Sequence, residues 1–329
     1  MTTAPTVEAQ LAVVDAELNA AMMGTTKFNE KRIPVVRGTF ARLLHNVTLL
    51  TSADTNLPIL EIGSDGALAS AKVLHKLTGL EVVASNLVVG GLADKVGDYP
   101  IRIHQNDIGA LNFPDDSFSM LYGRAVLEHI SDMDDFLAEC DRVLEPGGVL
   151  YLDGGPLFHS PRGHHMALHG PSGTHYGFGK MPDLLPNWCQ LDSNEDELFT
   201  HLTETKDINA EDARAIAHYV FNSPEQNRMS ASDVIAAFER SAFNNLAYET
   251  MQMNKFVPPP HLVEQYGEFD LITNGLAYFV TTGPKFAEID AAEPHAAAPA
   301  PAPAPASSTA PARPLWRKVA GRITRTIRS

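Results

Sequence analysis

Three groups of residues have types and spacings that suit chemistry. The first is Glu61-Ile62-Gly63-Ser64-Asp65-Gly66, which sets acids among glycines. Gly63 lets the backbone turn sharply and lets a ligand approach it closely. Backbone N–H groups in such a turn, just ahead of a helix, hold nucleotide groups. The second group lies downstream. Asn86 stands roughly 20 residues past the turn, where a side chain reaches ribose hydroxyls. Asp107 can accept a hydrogen bond from an adenine ring on which Ile108 can pack. The third group is the run GPLFHSPRGHHMALHGPSGTHYG, with His159, His164, His165, His169 and His175. Imidazoles titrate near neutrality and so move protons. Such clusters also bind zinc or nickel. Only His165 and His169 are four apart, on no evident helix, so the run is read without a metal. Asp65 also suits a cap for the helix that follows it.

These residues need strands that end together. Residues 55–155 alternate short apolar runs with helical patterns, as βαβ units on a parallel sheet do. Strands are predicted over 57–62, 81–85, 101–105, 118–122 and 149–152, and a helix over 68–77. A second helix is predicted to be capped by Ser131, to bury Met133, Phe136, Leu137, Cys140 and Leu144, and to end at Pro146-Gly147-Gly148. The Gly63 turn, Asn86 and Asp107 then fall at the carboxyl ends of the first three strands, and the His-rich run starts past the fifth. In an open α/β sheet the ligand crevice lies at those ends.

Other regions flank this core. Residues 1–54 read as helices, with Val7, Leu11, Val14, Leu18 and Met22 at helical spacing and a second helix over 35–50. Residues 156–241 read as an inserted cap. Its Met181, Leu184, Leu185, Trp188 and Phe199 suit either an acceptor-facing wall or an internal core. Residues 242–284 return to strands, predicted over 246–253 and 271–281. Residues 285–313 are an Ala/Pro spacer. Residues 314–329 are basic, and Leu315, Trp316, Val319, Ala320, Ile323 and Ile327 fall near one helix face. That pattern suits peripheral contact with a membrane surface.

The 329 residues carry a net charge of −15, which argues against a nucleic-acid partner. No apolar run approaches the roughly 20 residues of a membrane span. The first residues lack a signal-peptide pattern. Cys140 and Cys189 form no zinc spacing. The expected location is cytoplasmic, peripheral at most on the inner membrane face.

The strings LEIGSDGA, NDIGALNFPDDSFSMLYGRAVLEHISD and RVLEPGGVLYLDG resemble the class I S-adenosylmethionine-dependent methyltransferases, in the subgroup with an FPD-SF, LEH and PGG pattern. The resemblance covers about residues 56–155. It implies a Rossmann-like seven-stranded α/β sheet, completed by residues 246–281, with N-terminal helices and an inserted cap. It also implies S-adenosylmethionine as cofactor, held by Glu61, Gly63, Ser64, Asp65, Gly66, Asn86, Asp107, Ile108 and Arg124. The sequence departs from the family pattern in two places. Asp65 and Ala67 replace loop glycines, and Asn86 replaces the usual acid after the second strand.

Methyl transfer from a sulfonium is an in-line displacement in which the protein mainly positions its partners. A hydroxyl acceptor must also lose a proton, and histidine is the usual base. His164 or His165 is the expected base, with His159 and Arg162 near the acceptor. His129 is expected to pack or cap. The polar, His-rich cap favours a sugar or glycan hydroxyl, and the subgroup's association with surface-polysaccharide synthesis points the same way. A lipid or polyketide acceptor and a non-catalytic binding protein are the alternatives.

Overall fold

The computed structural model describes residues 6–23, 33–46, 56–107 and 110–281. Ile108, the spacer 285–313 and the basic segment 314–329 lie outside them. Two helices, α1 (Val7–Met23) and α2 (Ile33–Asn46), come first. Then follow β1 (Ile59–Ile62), α3 (Ala69–Thr78), β2 (Val82–Asn86), β3 (Ile101–Gln105), β4 (Phe118–Gly123), α4 (Met133–Val143) and β5 (Leu144–Gly154). A hairpin of β6 (Ala167–His169) and β7 (His175–Gly177) leads to α5 (Cys189–Asp192), α6 (Glu195–Thr205), α7 (Ala210–Asn222) and α8 (Ala231–Arg240). The described chain closes with β8 (Asn244–Gln252), α9 (Pro260–Tyr266), α10 (Glu268–Ile272) and β9 (Thr273–Thr281). It divides into two compact units. Of the described residues, the first holds those up to 155 with 233–251 and 275–281, and the second holds 156–232 and 252–274.

The first unit is built on a seven-stranded sheet of order β3-β2-β1-β4-β5-β9-β8. β1 pairs parallel with β2 and β4, and β5 pairs antiparallel with β9. Every residue of β1 and β4 is buried. A sheet covered on both faces demands that, and it is why these strands read as continuous apolar runs. Tyr122, Tyr151 and Phe279 are register partners across β4, β5 and β9. Their ring centroids are 5.3 and 5.1 Å apart, and Phe40 of α2 stacks on Tyr122 at 5.6 Å. This row of rings fixes α2 on the sheet.

Several predicted boundaries move. β1 begins at Ile59 rather than at residue 57. α4 is capped by Asp132, whose Oδ1 accepts from the backbone N–H of Asp135 at 3.0 Å, not by Ser131. α4 ends at Val143, where Leu144 turns extended, so the Pro-Gly-Gly lies inside β5. The pairing of β4 with β5 shifts register between Phe118 and Met120, which absorbs those residues as an irregularity. Leu271 and Ile272, predicted as the start of a strand, instead end α10 (Glu268–Ile272), and β9 starts at Thr273.

The second unit has two apolar clusters. One gathers Leu185, Leu198, Leu202, Ile216 and Val220, with Met181, Leu184 and Phe199 against it. The other gathers Trp188, Leu262 and Leu271, with Phe256 and Tyr266 against it. The five apolar residues singled out from sequence thus belong to internal cores. Asn194 and Asn209 cap α6 and α7. Fully buried Asp212 accepts from Ser172 N–H at 3.0 Å, Tyr176 OH at 2.8 Å and Asn209 Nδ2 at 2.9 Å. These bonds pin the β6–β7 turn to α7, a contact no local pattern announces. Among the described residues no helix is long and apolar enough to cross a membrane.

Candidate active site

The turn after β1 is shaped by its own hydrogen bonds. Gly63 has φ +73°, and a Cβ there would sit 2.7 Å from Val126 Cγ1. The N–H groups of Gly63 and Ser64 both donate to Ser85 O at 3.0 Å. Ser64 Oγ donates to Glu61 Oε2 at 2.7 Å. Asp65 Oδ1 accepts from Ala67 N–H at 2.7 Å and, more weakly, from Ala69 N–H at 3.4 Å. Asp65 therefore does cap the approach to α3, while its Oδ2 is buried without a hydrogen-bond partner. Gly63 and Gly66 are exposed.

Asn86 ends β2 as predicted. Its Nδ2 donates to Ser64 O at 2.8 Å, and its Oδ1 accepts from Val88 N–H at 3.4 Å. Much of its amide therefore holds the turn rather than facing a ribose. Asp107, just past β3, is exposed. Its neighbour Asn106 is 6% exposed, and both its amide atoms are buried without a partner. Sequence reasoning passed over Asn106, because an asparagine before an aspartate reads as an ordinary turn.

Past β4, Arg124 is half-buried and its Nε lacks a partner. Its charge acts on Glu61 and Glu128. Glu128, not His129, is the buried member of Leu-Glu-His, and its Oε2 accepts from Gly155 N–H at 3.0 Å. A Cβ on Gly154 would strike Glu128 Oε2 and the backbone N of Leu127, so glycine there is what admits the carboxylate. That glycine, ending an apolar strand, was the available signal for Glu128. Asp153 is buried too. It accepts from Ala125 N–H at 2.8 Å, Tyr151 OH at 2.6 Å and Thr39 Oγ1 at 3.1 Å.

Burial, with Asp65 adding to it, pushes the Glu61 carboxyl up from 4.5 to about 8. Burial pushes Glu128 up to about 8 as well. A carboxyl with a raised folded-state value destabilises the fold once its unfolded counterpart ionises. Stability should therefore fall as pH rises from about 4.5 towards about 8. Denaturant melts of Glu61→Gln and Glu128→Gln across that window should each show a flatter pH dependence. A wild-type slope retained in both variants would remove these two groups as its source.

The second unit holds the His-rich run from His159 to His175. The segment after β5 is held by Gln190 Nε2, which donates to Phe158 O at 2.8 Å and Ser160 O at 2.9 Å. His164 is buried, and its Nδ1 accepts from Met166 N–H at 3.2 Å. Burial, with the neighbouring His165 and Arg162 adding to it, pushes it down to about 3. His164 is thus a neutral imidazole that holds the loop and a poor proton acceptor. The expectation of a base narrows to His165, which is half-buried with φ +41° and its ring 4.9 Å from Phe178. A left-handed non-glycine residue is costly, and such strain clusters at functional positions. His169 and His175 face each other across the hairpin at 4.6 Å, and His159 lies 4.9 Å from Tyr266.

The first unit has a Rossmann-like nucleotide turn on a seven-stranded sheet in which β9 runs antiparallel to β5, the architecture of class I methyltransferases. Residues 60–152 match the family described as methyltransferase domain. It is 25% identical over 129 residues to a ubiquinone biosynthesis O-methyltransferase of Mesorhizobium japonicum, covering 38% of this chain and 52% of that one. It is 27% identical over 165 residues to the same-named protein of Paramagnetospirillum magneticum, covering 49% and 64%. A ubiquinone/menaquinone biosynthesis C-methyltransferase of Stutzerimonas stutzeri is 26% identical over 186 residues, covering 54% and 61%. The chain thus spans between half and two thirds of these relatives' length. A putative S-adenosylmethionine-dependent methyltransferase structure from Listeria monocytogenes aligns with TM-score 0.45 at 11% identity, covering 75% of this chain and 99% of that one.

The cofactor this domain implies is S-adenosylmethionine, and the residues fit it. Among the described residues, the carboxyl-end loops of β1, β3 and β4 present a carboxylate oxygen, a carboxamide and a guanidinium N–H without protein partners. Those groups complement an ammonium, a nucleoside edge and a carboxylate.

Proposed function

We propose that the protein is an S-adenosylmethionine-dependent O-methyltransferase acting on a small-molecule hydroxyl, with His165 as proton acceptor. The observation that carries this reading is the set of unpartnered polar atoms at Asp65, Asn106 and Arg124 around the exposed Gly63 turn. Asp65 would hold the cofactor's ammonium, Arg124 its carboxylate, and Asn106 with Asp107 its nucleoside. The bound cofactor supplies an electrophilic methyl on sulfur. Gly63 keeps the turn free of a side chain so that backbone and ligand meet closely. Asn86 holds that turn through Ser64 O. An imidazole nitrogen of His165 takes the hydroxyl proton as the oxygen gains the methyl.

The acceptor class follows from weaker support. The polar His-rich segment suits sugar or glycan hydroxyls, whereas the names of the relatives favour a hydroxyl on a quinone-type ring. A methyl-transfer screen with labelled cofactor against phenols, nucleotide sugars, glycans and lipid extracts is the test. Label in an oxygen-methylated product of one class is the expected result. Product methylated only at carbon, or no label in any class, would overturn the reading. Contact of residues 314–329 with a membrane surface remains a proposal from their sequence.

A further inference from the structure

We propose that Arg162 and Lys255 of the second unit bind an oxyanion, a carboxylate or a phosphate, with the Phe256 ring as the floor of the site. The proposal rests on the methyltransferase reading only in taking that oxyanion to be part of the acceptor.

Acids outnumber Lys and Arg in this chain by 40 to 25. Arginines accordingly find carboxylates: Arg37 pairs with Asp15, Arg102 with Glu81, Arg142 with Asp115 and Glu139, Arg214 with Asp196, and Arg240 with Asp134. Arg162 does not. It is half-buried, its guanidinium makes no hydrogen bond or ion pair among the described residues, and its Nε is sealed from water without an acceptor. A buried donor left unmatched is costly, more so when charged.

Its Cζ lies 5.6 Å from the centroid of Phe256, and Lys255 Nζ lies 5.0 Å from the same centroid. Two cations thus share one ring, with no carboxylate of the described residues to neutralise either. Cation–π attraction holds each of them at the ring, and an anion would supply the opposite charge that both lack. The ring packs on the Trp188–Leu262–Leu271 cluster beside Tyr266. Its apolar surroundings strengthen any charge-assisted hydrogen bond made there. The guanidinium fork matches a carboxylate or a phosphate through two parallel N–H bonds, and a lysine ammonium adds a point charge.

The test is calorimetric titration of the full chain with inorganic phosphate and, separately, with benzoate. The wild type should bind at least one, and the one it prefers separates a phosphate from a carboxylate ligand. Arg162→Met keeps the apolar stem on Phe256 and should weaken binding by about tenfold or more, as loss of a charge-assisted pair implies. Lys255→Gln, at an exposed position where folding is not at stake, should weaken it less. Arg214→Gln is the control, since Arg214 also lies over a ring, Phe199 at 4.0 Å, yet already has Asp196. Its binding should equal the wild type's. Failure of the wild type to bind either ion, or equal affinity in wild type, Arg162→Met and Lys255→Gln, would overturn the proposal. S-adenosylhomocysteine titrated into the same samples reports separately on the methyltransferase reading, because its binding should not change in any of these variants.

Discussion

Gly63→Arg should lower affinity for S-adenosylhomocysteine by about a hundredfold or more, beyond detection in an ordinary titration. Two effects combine. The backbone at 63 has φ +73°, which costs a residue with a Cβ roughly 1–2 kcal/mol. That Cβ also falls 2.7 Å from Val126 Cγ1, so the turn or the segment after β4 must shift. The rest of the arginine side chain then enters the space the ligand needs. Gly63→Ala should lose less, and adding Val126→Ala should recover part of the loss by removing the contact. Asp107→Ala should weaken binding through the nucleoside end, with the Gly63 turn unaltered. Circular dichroism and melting temperature separate loss of affinity from loss of fold. Unchanged affinity in both Gly63→Arg and Asp107→Ala would remove the cofactor assignment.

His165→Ala should lower turnover by about 10²-fold, the usual contribution of a positioned general base, while cofactor affinity stays near the wild-type value. His164→Ala should behave differently. It removes a buried acceptor for Met166 N–H, so its first effect is on melting temperature. The contrast follows from environment: two adjacent imidazoles, one sealed and pushed down to about 3, the other half-buried beside Phe178. If His165→Ala retains full turnover, the base lies elsewhere. Loss restored by added zinc or nickel would mean that the residue ligates a metal instead.

The centre of the sheet was legible because β1 and β4 are buried on both faces and so read as apolar runs between turn signals. Gly63, Asn86 and Asp107 were placed at strand ends by the same logic. What escaped the sequence depends on long-range contact. The cap of α4 shifted by one residue because Ser131 and Asp132 both qualify and only the helix axis chooses between them. The absorption of Pro146-Gly147-Gly148 into β5 depends on pairing with β4. Glu128 was hidden because a glutamate in a short Leu-Glu-His turn is ordinarily exposed. The cavity that takes it is made by Gly154, 26 residues later. His164 and His165 look equivalent in sequence, and only burial distinguishes them.

Asp153 sets a limit on modularity. The recognisable signature stops at residue 152, one position short of this carboxylate. Yet Asp153 ties the hydroxyl of Thr39 in α2, the hydroxyl of Tyr151 and the backbone N–H of Ala125 beside Arg124 into one knot. Phe40 and Phe279, which flank the tyrosine pair, also lie outside the signature. What heredity makes recognisable is therefore smaller than what physics makes stable. A graft or chimera cut at the edges of the signature would carry the nucleotide turn but strip both flanks from its aromatic row. The transplantable piece is the whole first unit, N-terminal helices and returning strands included.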